Sequence, residues 1–281
     1  MSQDETNTCK LAAVDDAQAR HGTGPQLISP KRGAMILAAA AYVLGGGGML
    51  AWLVFLVLGP LFTVPMNLTT PGRLLVDTFL CLLFFVQHSF MVRRRFRVWL
   101  TRIVRADFHG ALYASAAGAC LLLLIVLWQP VGVPLWIPPA SVRWIAAAVF
   151  LSAGAVGWWG SRSLGEFDAL GVKPALRAME NGAPTGNVPF TVRGPYRWVR
   201  HPLYLVSLVI IWAGPVFTLD RMLHNVLWTL WIVIGATMEE RDLVNCFGEA
   251  YRNYRKTVPM LLPRSVRPLV KDIGNEQKDW F

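Results

Sequence analysis

Charge is scarce in this sequence. Only 16% of its 281 residues are Asp, Glu, Lys or Arg, against roughly 25% in an ordinary soluble domain. Acidic groups are the scarcer kind, 17 against 27 basic ones, which leaves a net charge of +10. With 54% hydrophobic residues the chain is too apolar for disorder. Four cysteines are too few for a disulfide scaffold. None of Cys9, Cys81, Cys120 and Cys246 shows metal-ligand spacing, so all four read as free thiols and no metal site is expected. Nucleic acid is not expected as a partner, because a binder's positive charge should ride on a polar surface. The first 33 residues hold Asp4, Glu5, Asp15 and Asp16 and no apolar run, so they read as a solvated tail rather than a signal peptide. What is abundant is apolar length, and that points to an all-α polytopic integral membrane protein.

A bilayer core needs about 20 mostly apolar residues per helix. Candidate spans run over Ala34–Phe62, Leu74–Val92, Ala111–Trp128, Val142–Ser161, Leu203–Leu219 and Leu223–Met238, about six in all. Only Asp220, Arg221 and Met222 separate the last two, which predicts a tight helical hairpin. Basic residues fall in alternate segments: Lys31 and Arg32, then Arg93 to Arg105, then Arg162 to Arg200, then Arg241 to Lys271. By the positive-inside rule both termini and these segments face the cytoplasm. The glycine run Gly45 to Gly48 lacks the Lys-Ser/Thr of a phosphate loop and lies inside a span, so it predicts close helix packing. The chain divides into a disordered tail (1–33), a four-span membrane half (34–161), a catalytic half (162–265) and a C-terminal tail (266–281).

The informative stretch is Val188 to Pro263. Pro202 suits the first turn of a helix, so Arg200 and His201 should stand at a helix mouth with Tyr204 just inside. The hairpin should return Glu239 and Glu240 to the same mouth, where paired carboxylates need cations. Arg197, Arg200 and His201 are the expected partners. After them Leu243, Val244, Phe247, Tyr251 and Tyr254 recur at helical spacing, which predicts an interfacial amphipathic helix from Leu243 to about Lys256. His88 sits in an apolar span, where an ionisable group is a functional candidate or a hydrogen-bonded packing histidine. His109 and His224 carry no motif and are expected at the interface.

R-H-P-x-Y (201–204 with Arg200), a hairpin, E-E-x-x-L from Glu239, F-G-x-x-Y-x-x-Y from Phe247 and then Val258-Pro259 resemble the isoprenylcysteine carboxyl methyltransferase superfamily of membrane methyltransferases. Gln87-His88-Ser89 and Phe167-Asp168-Ala169-Leu170-Gly171 bring the resemblance closer to one bacterial branch, the methanethiol S-methyltransferases. The resemblance implies S-adenosylmethionine as cofactor. It implies cofactor contacts from Val188, Pro189, Phe190, Thr191, Tyr196, His201, Pro202, Leu203, Tyr204, Glu239 and Glu240. His201, Arg200 and His88 are the catalytic candidates, with Arg200 also able to hold the cofactor carboxylate. The carboxyl methyltransferases place an Arg one turn before the first Glu; here that position is Gly235. A small thiol, most simply methanethiol, therefore suits the site better than a carboxylate. A lipid or isoprenoid carboxyl or amine acceptor, a nicotinamide-dependent reductase and a non-enzymatic protein of nitrogen-oxide metabolism are the alternatives. Oligomeric state is left open.

Overall fold

The protein is described by a computed structural model, in which residues 8–9, 30–165, 168–177 and 188–273 are described. Helices dominate. The first rod runs through α1 (Pro30–Ala40), a π-helical stretch (Ala41–Gly46) and α2 (Gly47–Leu58). Next come α3 (Thr70–Val92), a short α4 (Arg94–Leu100) and α5 (His109–Leu127). Then follow α6 (Ala140–Ser163), a short α7 (Lys173–Arg177), α8 (Pro202–Trp212) and α9 (Leu219–Thr257). Extended pairs are small: β1 (Thr8–Cys9) lies antiparallel to β3 (Val188–Pro189), and β2 (Pro134–Trp136) to β4 (Phe217–Thr218).

Among the described residues, four stretches are long and apolar enough to cross a membrane: Lys31–Leu58, Thr70–Val92, Ala106–Leu127 and Ala140–Ser163. Their outward faces are apolar too; Trp144 is 77% exposed and Leu151 71%. Such side chains suit lipid rather than water. The two later helices differ from the expected spans. α8 has 11 residues, so at about 1.5 Å per residue it is far shorter than the hydrocarbon core. The connection is residues 213–218, not Asp220-Arg221-Met222. Asp220 and Arg221 instead lie in the first turn of α9, both buried.

Their burial pins one end of the bundle. Arg221 donates to the carbonyls of Phe55 (2.7 Å) and Leu56 where α2 ends. Trp128 Nε1 donates to Asp220 (3.1 Å), and the Gln129 backbone N–H to Asp77 on α3 (2.8 Å). Four segments are thus tied together by polar groups that would otherwise be costly in an apolar setting. His224, expected at the interface, is fully buried here, stacked on Trp228 at 5.1 Å.

The glycine run does what its composition implied. Gly45 and Gly48 face α5 at Ala114 and Gly118. A Cβ on Gly48 would stand 2.6 Å from the Gly118 carbonyl oxygen, and one on Gly118 1.9 Å from the Leu44 oxygen. Backbones meet there because no side chain intervenes. Gly118→Val should therefore lower stability by about 1–3 kcal/mol or more, read as a lower melting temperature in detergent. Gly47→Ala, which meets open space, should hold or raise it by up to about 1 kcal/mol.

Candidate functional site

The turn Gly194–Arg197, opened by Pro195, carries the chain to Arg200 and His201. Pro202 occupies the first helical position of α8, leaving His201 as its N-cap. The backbone N–H groups of Arg200 and His201 donate to the carbonyls of Pro259 (2.9 Å) and Met260 (3.1 Å). The segment after α9 is thereby laid against the start of α8.

The two carboxylates at this mouth have different fates. Glu240 is buried and engages Arg200, whose Nε lies 2.6 Å from its Oε1. Arg255 approaches Glu240 at 3.4 Å, and His201 Nε2 at 3.4 Å. Arg200 also donates to the carbonyls of Arg255 (3.2 Å) and Val258. Its guanidinium is held by Glu240 and by the backbone rather than standing free for a cofactor carboxylate. Glu239, one residue earlier and so about 100° around the helix, is 45% exposed. Its neighbours are His201 Nδ1 at 3.8 Å and the phenols of Tyr196 and Tyr204. Burial holds the His201 pKa below the usual histidine value, against the opposing pull of Glu239 and Glu240. His201 is therefore neutral near pH 7 and can both donate and accept. Burial raises the Tyr196 phenol pKa, and Glu239 raises it further.

The amphipathic helix of the sequence reading is not one piece. Gly248, at φ 55° and ψ −127°, breaks α9. A side chain would strain that conformation. The break lets Tyr251 and Tyr254 turn onto the loop beneath. Phe190 meets Phe247, Tyr251 and Tyr254 with ring centroids 5.3, 6.1 and 5.7 Å away. Tyr254 donates to the Tyr196 carbonyl at 2.6 Å. The Tyr251 hydroxyl is buried beside Arg200.

Two N-terminal motifs also find structural partners. His88 Nε2 lies 2.6 Å from the Tyr113 hydroxyl, and its ring packs beside Phe84 and Trp231. Ser89 accepts from Trp231 Nε1 at 3.1 Å, joining α3 to α9. In the F-D-x-x-G element, Asp168 accepts from the Lys173 backbone N–H at 2.6 Å, and Gly171 packs on Gly110. Phe167 lies outside the described residues.

Of the residues expected at the site, His201, Pro202, Tyr204, Tyr196, Phe190, Glu239 and Glu240 converge. His88 joins Tyr113 instead. Arg197 does not meet the carboxylates; its Nε donates to the Val270 carbonyl (2.9 Å) and lies 3.4 Å from Asp272. Residues 269–273 thus pack on the site rather than trail away, since Leu269 and Ile273 bond Arg197 and Val192. The sequence reading missed Arg255, whose helical spacing marked only a polar face, and Tyr113, which no motif flagged. Reading all four cysteines as free is corrected for Cys246, which is disulfide-bonded; spacing along the chain does not show which thiols the fold brings together. Cys81 and Cys120 are free. An apolar cleft of about 520 Å³ lies on the other side of the α8 mouth, among Trp159, Trp198, Leu205 and Val266.

Apolar spanning helices with a carboxylate, a histidine and an aromatic cluster at one mouth define a polytopic membrane protein with a candidate site at that mouth. A family model described as NnrU protein matches residues 78–243. A methanethiol S-methyltransferase of Pseudomonas deceptionensis is 38% identical over 199 residues, 69% of this chain and 74% of that protein. One of Mycobacterium tuberculosis is 34% identical over 181 residues, covering 64% and 74%. A Nurim homolog of Drosophila melanogaster is 26% identical over 181 residues, covering 62% and 72%. No solved structure matches. The chain belongs to the NnrU and methanethiol S-methyltransferase family of membrane proteins.

Removing Arg200 strands a buried carboxylate. Arg200→Met should cost about 3–5 kcal/mol of stability, measured as a lowered denaturation midpoint in detergent. The double variant Arg200→Met, Glu240→Leu should recover a good part of that loss.

Proposed function

We propose that this protein transfers a methyl group from S-adenosylmethionine to methanethiol, releasing dimethyl sulfide. The observation that carries the reading is the division of labour at the α9 mouth, in a chain 31–38% identical to proteins named for that reaction. Glu240 is neutralised by Arg200 and Arg255, whereas Glu239 keeps an accessible carboxylate between tyrosines. The residues present fit the cofactor: a half-exposed carboxylate at Glu239 and the aromatic rings of Phe190 and Tyr196. Glu239 would take its ammonium or ribose hydroxyls, and an aromatic ring its cationic sulfur. Val188, Pro189, Thr191 and Leu203 complete the proposed binding set, and Glu240 supports it from behind by holding Arg200. When bound, the cofactor supplies an electrophilic methyl group.

The chain's own part is positioning and exclusion of water. The second limb of α9 and the segment Val258-Pro259-Met260 close over the mouth. Neutral His201 can orient a polar group there; Arg200 acts through Glu240 as a positioning residue; His88 works through Tyr113. Gly235 and its neighbours Ile234 and Ala236 offer no cation to hold a carboxylate acceptor. The finer membrane arrangement is part of the same reading. α8, too short to span by itself, is lengthened by residues 213–218 and forms with the first limb of α9 a hairpin that brings the count to six spans in a bacterial inner membrane. The arginines, the site and both termini face the cytoplasm, and the catalytic half extends over 162–265.

Purified protein with S-adenosylmethionine and methanethiol should produce dimethyl sulfide in headspace gas chromatography. Glu239→Ala should abolish the product while leaving the melting temperature unchanged. No product from any small thiol would overturn the reading.

A further inference from the structure

A second pocket, of about 140 Å³, lies where α3 ends and α5 begins, lined by Met91, Val92, Arg97, Leu100, His109 and Tyr113. Met91, Val92 and Leu100 make it apolar, and its size admits a molecule of a few heavy atoms but no prenyl chain. Its polar wall is unusual. His109 is 5% exposed, and its Nε2 lies 3.2 Å from the Val104 carbonyl oxygen. A carbonyl only accepts, so Nε2 carries the ring proton. Nδ1 is then a bare lone pair, and it is buried without a hydrogen-bond partner. A buried acceptor left unpaired costs about 1–3 kcal/mol, so this atom is poised for a ligand that brings a proton.

The ring is held in place. A Cβ on Gly110 would stand 2.7 Å from the Gly171 Cα, so the loop after α6 clamps the start of α5. The charged groups around the ring are Arg97 on α4 and Asp107, which pairs with Arg105 at 2.9 Å. The pocket also adjoins the site already described. Arg93, next to Val92, donates to Met238 Sδ at 3.1 Å and pairs with Asp242 at 4.0 Å. Met238 immediately precedes Glu239. Tyr113, the inner wall, reaches His88 and lies within electrostatic reach of Tyr204.

We propose that this pocket seats the acceptor thiol and that His109 Nδ1 removes its proton, an inference that rests on the thiol methyltransferase reading. The S–H bond breaks, its proton forms an N–H bond at Nδ1, and the electron pair stays on sulfur as the nucleophilic thiolate. That pair forms the new carbon–sulfur bond as the sulfonium carbon–sulfur bond breaks, and the leaving sulfur keeps the electrons of the broken bond. The products are dimethyl sulfide and S-adenosylhomocysteine, and His109 returns its proton to solvent. The Arg97 guanidinium favours the anion while it exists.

The test uses acceptors of different acidity on the full chain. With methanethiol, His109→Gln should lower kcat/KM about 100-fold or more. With hydrosulfide, already largely an anion at about pH 8, it should stay within about threefold of wild type. Binding of S-adenosylhomocysteine should be unchanged. Leu100→Ala should raise the preference for propanethiol over methanethiol roughly tenfold. Without cofactor, methanethiol should shift the His109 resonances in nitrogen-15 histidine spectra. Equal losses on both acceptors, no loss on either, or an unmoved His109 signal would overturn the proposal. A wild type that binds no S-adenosylhomocysteine and methylates no thiol instead defeats the reading on which it rests.

Discussion

The buried pair of Arg200 and Glu240 is the interaction on which the site depends. Both side chains are less than a tenth exposed. Charges so placed are tolerated only when every hydrogen-bonding position is answered. Arg200 answers Glu240 on one side and the carbonyls of Arg255 and Val258 on the other. One side chain therefore holds three things together: the start of α8, the first limb of α9 and the segment that follows its second limb. Take it away and the mouth has no reason to close.

The consequence for chemistry follows from helix geometry. Adjacent residues point about 100° apart, so fixing Glu240 inward turns Glu239 outward, towards His201, Tyr196 and Tyr204. A neutral histidine beside an accessible carboxylate can bind a polar cationic ligand without a compensating fixed charge. At the opposite end of the bundle a second polar knot, Arg221 with Asp220, Asp77 and Trp128, anchors the same helices. Between the two knots the packing is apolar and, at Gly48 and Gly118, backbone on backbone. The rods are pinned at both ends, and the chemistry is confined to one of them.

Much of this was legible in the sequence, because some signals are local. Apolar length marks Leu74–Val92 and Val142–Ser161 as spans whatever surrounds them. Pro202 marks a helix start, and adjacent Glu239 and Glu240 demand partners. What was not legible depends on partners distant in the chain. Arg221 looked like a loop charge, since nothing nearby reveals that the carbonyls of Phe55 and Leu56 await it. Gly248 read as one position in a helical pattern, because a glycine can continue a helix or break it. Arg197 is expected at the glutamates because the two helix ends are antiparallel neighbours, yet residues 270–272 fold back to claim it. His109 carried no motif at all, and only its bond to Val104 and its orphaned nitrogen single it out.

The account turns on Glu239 serving the ligand while Arg200 serves Glu240. An experimental structure with bound S-adenosylhomocysteine tests this most directly. The Glu239 carboxylate should lie within hydrogen-bond distance of the ligand's ammonium or ribose hydroxyls, with Arg200 still on Glu240 and the Val258 carbonyl. Arg200 swung onto the ligand's carboxylate, with Glu239 turned away from it, would contradict the account.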